Sequence, residues 1–352
     1  MGGGATARLV DWQVARRIGA RVAGGGPETG RTARARLRED FAEVVPEAEK
    51  LITELTGLAI EGPATRPWVM SRAEWVSQNL RGFETILDPF AERMLRGRSG
   101  GGPLAGFRRK ALATQIGGLL GYLGRRVLGQ YDLFLPPDDR DLLYFVGPNV
   151  IAVERRFNLV PREFRAWLAF HEVTHRVQFS GVRWLRGHLL GLVNEYLDSI
   201  EVDPRRIVET VRRAVEEARR SDGWRGLGFL FLVMTPAQRD IFRRMQALMS
   251  LLEGHGNHVM TALSEGRLPT AERMGRVLRE RRHGAGVNRM FQKAIGLDVK
   301  VRQYDVGERF VAEAVARSGR EGFARVWEHP DLLPTLEEIA RPEAWVERVT
   351  LR

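Results

Sequence analysis

Apolar positions recur three and four residues apart through most of this chain, which is the spacing of a buried helical face. Residues 7–23 and 32–58 read as two amphipathic helices separated by GGGPETGRT, a Gly-rich stretch with no strand before it and so a linker rather than a phosphate loop. Pro67-Trp68-Val69-Met70 leads into a further helix whose Trp75, Leu80, Phe83 and Leu87 have the spacing of core residues. GRSGGGP at 97–103 is the clearest boundary. It suggests a helical region over 1–100 packed on a second region over 101–352, although one continuous domain fits the pattern equally. From Phe107 to Gln130 the period stays helical, with Gly117, Gly118, Gly121, Gly124 and Gly129 read as sites of close helix packing.

The texture then changes. Leu142–Val146, the turn Gly147-Pro148-Asn149, and Val150–Glu154 read as a β-hairpin. Beyond it the helical period returns over 161–181, 185–200 and 204–220, the last with the charged repeat of an exposed face. Thr235-Pro236-Ala237-Gln238 carries a helix start: a Thr cap, Pro at the first position and Gln to close the capping box. The fold class expected is mainly α (α+β), with a small sheet before the 161–181 helix.

That helix holds the chemistry. Phe164, Trp167, Leu168, His171, His175 and Gln178 share its apolar face, Pro161 suits its first turn and Gly181 ends it. Its centre reads His171-Glu172-Val173-Thr174-His175, an H-E-x-x-H sequence. On a helix the two imidazoles lie one turn apart and can face one ion. Glu172 then sits beside the metal rather than on it, where it can act as a base toward water. The 235 helix runs through Phe242, Met245, Leu248, Met249 and Leu252 into Glu253-Gly254-His255-Gly256-Asn257-His258. Glu253 is the favoured third ligand, with His255 and His258 as the alternatives. Asn257, one turn on from Glu253, could hydrogen-bond a ligand histidine from behind. Tyr304 and His283 have the chemistry of an oxyanion donor, Tyr304 being the better candidate, and neither is marked by spacing. His188 and His329 belong to no constellation and read as structural.

Composition narrows this further. The chain has no cysteine, so any metal is held by histidine and carboxylate, and disulfides and iron–sulfur clusters are excluded. The N-terminal stretch lacks an unbroken apolar core, Arg16, Arg17 and Arg21 interrupting it, and no apolar run has the length of a membrane span. A cytoplasmic protein is expected. The net charge of +11 invites a nucleic-acid or membrane-surface reading. The basic residues are nearly all arginine and spread along the whole length, however, so no DNA partner is expected.

With HEVTHRVQF (171–179), LMSLLEGHGNHVM (248–260), LGQYD (128–132) and KVRQYDVGERFV (300–311) in order, the chain resembles the zincin-like metallohydrolases associated with coenzyme F-420 biosynthesis. The resemblance spans most of its length. It implies a mostly helical zincin fold, a zinc ion on His171 and His175, and Glu172 as base. It also implies a metallopeptidase or hydrolase whose substrate the family does not fix; the expected substrate, unidentified, is a peptide or protein. The pattern is similar to gluzincins, in which a later glutamate is the third ligand and an acid one turn on supports a histidine. Those roles map onto Glu253 and Asn257, with Asn a departure from the acid. Two other functions compete: a non-catalytic zinc-binding protein of the same fold that acts through a partner, and a basic nucleic-acid or membrane-surface protein. The oligomeric state is not readable.

Overall fold

The computed structural model describes residues 9–26, 30–95, 105–133, 141–200, 234–284 and 303–350. By contact the chain groups into two units, residues 1–50 with 62–176 and residues 51–61 with 177–352.

In the first unit, α1 (Trp12–Ala23) is capped by Asp11, whose carboxylate accepts from the Val14 amide at 3.1 Å. α2 (Arg31–Thr56) and α3 (Arg72–Leu95) follow, with β1 (Arg66–Met70) between them. α4 (Ala105–Gly124) lies against α1 by way of its glycines. A methyl group at Gly117 would meet the Ala15 backbone, and one at Gly121 the Gly19 carbonyl and Val22. Gly117 and Gly121 therefore lie on a helix-packing face, as their spacing suggests, whereas a methyl group at Gly118 would meet nothing within 4 Å, so the packing reading does not hold there. The reading of Gly129 does not hold. α4 ends at Gly124, and Gly129 opens a strand, β2 (Gly129–Tyr131).

β3 (Leu142–Val146) is the middle strand of a three-stranded sheet in the order β1-β3-β2, parallel to β1 and antiparallel to β2. Its last four residues are fully buried, as an unbroken apolar run requires. Phe145 stacks on Phe41 with ring centroids 3.6 Å apart.

The expected hairpin after β3 is a correction: Gly147–Phe157 is helical (α5), with Pro148 in its first turn. Gly147-Pro148-Asn149 is thus a helix start and not a reversal. Asn149 is buried there. It donates to the carbonyls of Gly124 at 2.9 Å and Val127 at 2.6 Å and accepts from Arg72 at 2.7 Å, so its side chain fastens α5 to the end of α4. α5 closes on Asn158 in the left-handed conformation (φ 47°), which asparagine tolerates. Further along, Arg165 holds buried Glu154 through two bonds of 2.8 and 2.9 Å and also pairs with Asp40. Burial pushes the Glu154 carboxyl up, and the Arg165 guanidinium opposes it.

α6 (Pro161–Gly181) runs from the first unit into the second. The second unit continues with α7 (Leu185–Asp198), then α8 (Pro236–Ser264) and α9 (Ala271–Gly284). α10 (Gln303–Ala324), α11 (Leu336–Ala340) and α12 (Pro342–Thr350) complete it. The helix expected over 204–220 lies outside the described residues. α8 begins with the capping box read from its sequence: Gln238 N donates to Thr235 Oγ1 at 3.2 Å, and Thr235 N donates to Gln238 Oε1 at 2.9 Å. α8 and α10 cross at two glycines. A methyl group on Gly254 would fall on the Gly307 carbonyl, and one on Gly307 on the Ser250 carbonyl. α10 turns sharply at Gly319 (φ 71°), a left-handed backbone that glycine adopts without strain. Phe310 and Trp345 join α10 to α12, with ring centroids 5.5 Å apart. Among the described residues no helix is long and apolar enough to cross a membrane.

Candidate metal centre

The central turns of α6 are buried on nearly every side. Phe164, Leu168, Phe170, Val173 and Val177 are in the core, and Thr174 turns its hydroxyl back to the Phe170 carbonyl at 2.6 Å. A helix so packed has little rotational freedom, which fixes where its polar residues point. His171 and His175 are half-buried. Their Nε2 atoms lie 3.3 Å apart and their ring planes stand at 85°. Two nitrogens on adjacent corners of a zinc tetrahedron, each at the usual bond length, are separated by about 3.3 Å. The two imidazoles therefore have the separation that one such ion requires.

Glu172 is 8% exposed and points toward the sheet, where β2 passes it at Gly129. A Cβ built on Gly129 would lie 2.6 Å from Glu172 Cγ and 2.8 Å from its Oε1. The strand is fixed on its opposite side. Gln130 accepts from Trp75 Nε1 at 2.6 Å and donates to Asn79 Oδ1 at 3.0 Å. Strand geometry alternates the two faces, so Gln130 anchors the strand and Gly129 leaves room for the carboxylate. Sequence reading passed over this role because Gly129 lay in a glycine-rich run with a helical period. The following Gln-Tyr, β-pairing with Tyr144 and Leu143, was the available signal.

Gln178, one turn beyond His175, ties α6 to α8 inside the second unit. Its amide donates to the Leu252 carbonyl at 3.1 Å and to His255 Nδ1 at 2.9 Å. His255 is accordingly an acceptor at Nδ1 and carries its proton on Nε2. Its ring is buried beside Phe323 and Trp327, with centroids 5.8 and 5.2 Å away. Glu253 is half-buried, directly after Leu252 on α8. Asn257 is buried, and its amide oxygen has no hydrogen-bond partner among the described residues. His258 is half-buried, and burial, reinforced by the charge of Arg320, pushes its imidazole below the usual range. Burial does the same to His188, which packs edge-on to Trp184. Arg176, next to the second histidine, donates to Thr65 Oγ1 at 2.7 Å and to the Pro63 carbonyl at 2.6 Å. Tyr304 falls in the first turn of α10 and His283 in the last turn of α9, with side chains outside the described residues.

A family model described as a zincin-like metallopeptidase matches residues 10–346. The chain belongs to the zincin-like metallopeptidase family. It is also similar to a protein from Chloroflexus aurantiacus whose crystal structure is described as that of "a putative hydrolase with a novel fold". The two share 33% identity and superpose with a TM-score of 0.75 over 98% of this chain and all of that one. No curated protein matches. For this zincin-like chain, the mostly helical architecture with one small sheet agrees with the family. Family membership and the histidine geometry together support a zinc-dependent hydrolase in general terms.

Proposed function

We propose that the chain is a zinc metallopeptidase in which His171, His175 and Glu253, each offering one ligand atom, hold the ion. The observation that carries the reading is the 3.3 Å separation of the two Nε2 atoms, with the Glu172 carboxylate one residue along the same turn. Glu253 is supported by the packing of α8. Gln178 lies on the histidine face of α6 and reaches the carbonyl of the residue before Glu253. His255 is engaged by Gln178 and by two aromatic rings, which favours the carboxylate over it. The Asn257 amide oxygen, buried without a partner, suits acceptance of a ring N–H from a ligand histidine and would hold that ring's tautomer.

Zinc bound there would supply a Lewis acid that polarises a carbonyl and lowers the pKa of water. The chain's own residues would do the rest. Glu172, buried against Gly129, takes a proton from the attacking water on one carboxylate oxygen. It then gives that proton to the departing amide nitrogen, so one group serves as base and then as acid. β2 is an edge strand of the sheet, and its backbone is suited to pair with an extended peptide and present it beside Glu172.

The test is metal analysis combined with turnover of a quenched peptide library. The expected results are one zinc per chain for the native protein, none for His171→Ala, and full zinc with turnover lowered about 10²–10⁴-fold for Glu172→Gln. Native turnover in Glu172→Gln would sink the mechanism. Zinc without any peptide cleavage in the native protein would leave a metal-binding protein that is not a peptidase.

A further inference from the structure

Within the second unit, one face of α8 and the segment after the turn at Gly319 enclose a cavity of about 70 Å³. From α8 it is lined by His255, His258, Val259 and Ala262, and from the post-turn segment by Arg320, Phe323 and Trp327, with the last turn of α2 closing one side. Both sets repeat at three, four and seven residues, so each is a single helical face turned inward. The break at Gly319 is what brings the second face round. Val259, Phe323 and Trp327 are buried and make an apolar floor. At the rim the exposed Arg320 and the half-buried His258 stand within each other's field, and neither has a hydrogen-bond or ion-pair partner among the described residues.

Two nitrogen donors without partners above an apolar floor are complementary to one kind of ligand. A neutral apolar molecule would leave them unused, and a large anion would not fit beneath them. We infer that this cavity binds a carboxylate with a short apolar tail, its oxygens at Arg320 and His258 and its tail on Val259, Ala262 and Phe323. Guanidinium and carboxylate match in shape and charge, which gives orientation as well as attraction. The volume holds about six non-hydrogen atoms at roughly 12 Å³ for each water-sized position, the size of butyrate. The same chemistry is offered by a free short-chain acid and by the C-terminal residue of a peptide. The site is separate from the zinc reading proposed above, since His171, His175 and Glu253 are not among its lining residues, although His258 and His255 are the alternative third ligands.

Calorimetric titration of the zinc-loaded protein tests this, with butyrate, butyramide, and the tripeptide Ala-Ala-Leu as free acid and as amide. Butyrate is expected to bind saturably with Kd on the order of millimolar, as suits so small a ligand. Butyramide should bind at least tenfold more weakly. Arg320→Gln, a change at an exposed position, should weaken butyrate at least tenfold, and Ala262→Leu, which fills the cavity, should abolish its binding. A free-acid peptide that binds more tightly than butyrate and much more tightly than its amide assigns the site to peptide C-termini. A weaker peptide assigns it to free acids. Equal affinity for butyrate and butyramide overturns the proposal. So does butyrate binding that persists in Arg320→Gln or Ala262→Leu, as a carboxylate held on zinc would give.

Discussion

A side chain at position 129 would occupy space that Glu172 already fills, since a Cβ there lies 2.6 Å from Glu172 Cγ. The strand cannot retreat to make room, because Gln130 is bonded to Trp75 and Asn79 behind it. In Gly129→Ala the carboxylate must therefore move, by a distance comparable with an ångström. A misplacement of that size costs about 100-fold in turnover. The expected outcome is a variant with one zinc per chain, as metal analysis would show, and peptide turnover reduced to about a hundredth. Loss of zinc instead would mean that position 129 serves the fold of α6 rather than Glu172. The third ligand is decided at the same scale. Glu253→Gln is expected to weaken zinc by more than the roughly 10–100-fold typical of groups behind the ligands. His258→Ala, on the wall of a separate cavity, should leave zinc affinity unchanged in a competition titration with a chelating dye. The opposite ranking would move the ligand to His258.

Elements differ in how far their own residues determine them, and this decides what could be read from sequence. α8 begins where Thr235 and Gln238 say it should, because a capping box is complete within four residues. α6 likewise runs from Pro161 to Gly181 with its histidines on one face, since helical spacing alone sets that geometry. The Gly147-Pro148-Asn149 segment was not legible in the same way. Its residues suit a turn or a helix start equally, and the choice rests on Asn149 reaching carbonyls more than twenty residues back. Gly254 stands in an otherwise apolar helix, and the reason for it, the carbonyl of Gly307, comes from another helix and so is not legible locally. Gly254→Ala is expected to cost about 1–3 kcal/mol in urea unfolding, the range for overfilling a tight contact between rigid parts. A change below about half a kcal/mol would show that the crossing can open. Glu338 gives a pH-dependent counterpart at the start of α11. Burial alone would raise its carboxyl, but bonds from Arg348 and from the Thr335 amide hold it below the ordinary 4.5. A folded pKa below the unfolded one means stability that is present above the unfolded pKa and lost as pH falls through the folded one. Glu338→Gln should therefore melt lower than the native protein at neutral pH, with the gap closing as pH drops below about 4.5. A gap independent of pH would mean that the cap, not the charge, is what the substitution removes.

For the molecule as a whole, the proposed zinc ligands come from two helices far apart in sequence, α6 and α8. The unfolded chain keeps the H-E-x-x-H pair close in sequence but loses the carboxylate, so zinc binds the native state far better than the unfolded one. Binding of that kind adds stability in proportion to the logarithm of free metal over its dissociation constant. At a thousandfold excess the gain is about 4 kcal/mol. For a chain of 352 residues the unfolding entropy near 60 °C is roughly 0.7 kcal/mol/K, so each kcal/mol moves the melting temperature by about 1.4 °C. Dialysis against a chelator is therefore expected to lower the calorimetric melting temperature by about 5–6 °C. Added zinc should restore it, whereas magnesium, which favours oxygen ligands in octahedral geometry, should not. His171→Ala and Glu253→Gln should both melt near the metal-free protein, and neither should respond to zinc as the native chain does. Glu172→Gln should respond fully, because that carboxylate lies beside the ion rather than on it. If Glu253→Gln kept the whole zinc response while His171→Ala lost it, the ion would be held by α6 without the help of α8. Such a result would remove the carboxylate ligand while leaving the histidine pair intact.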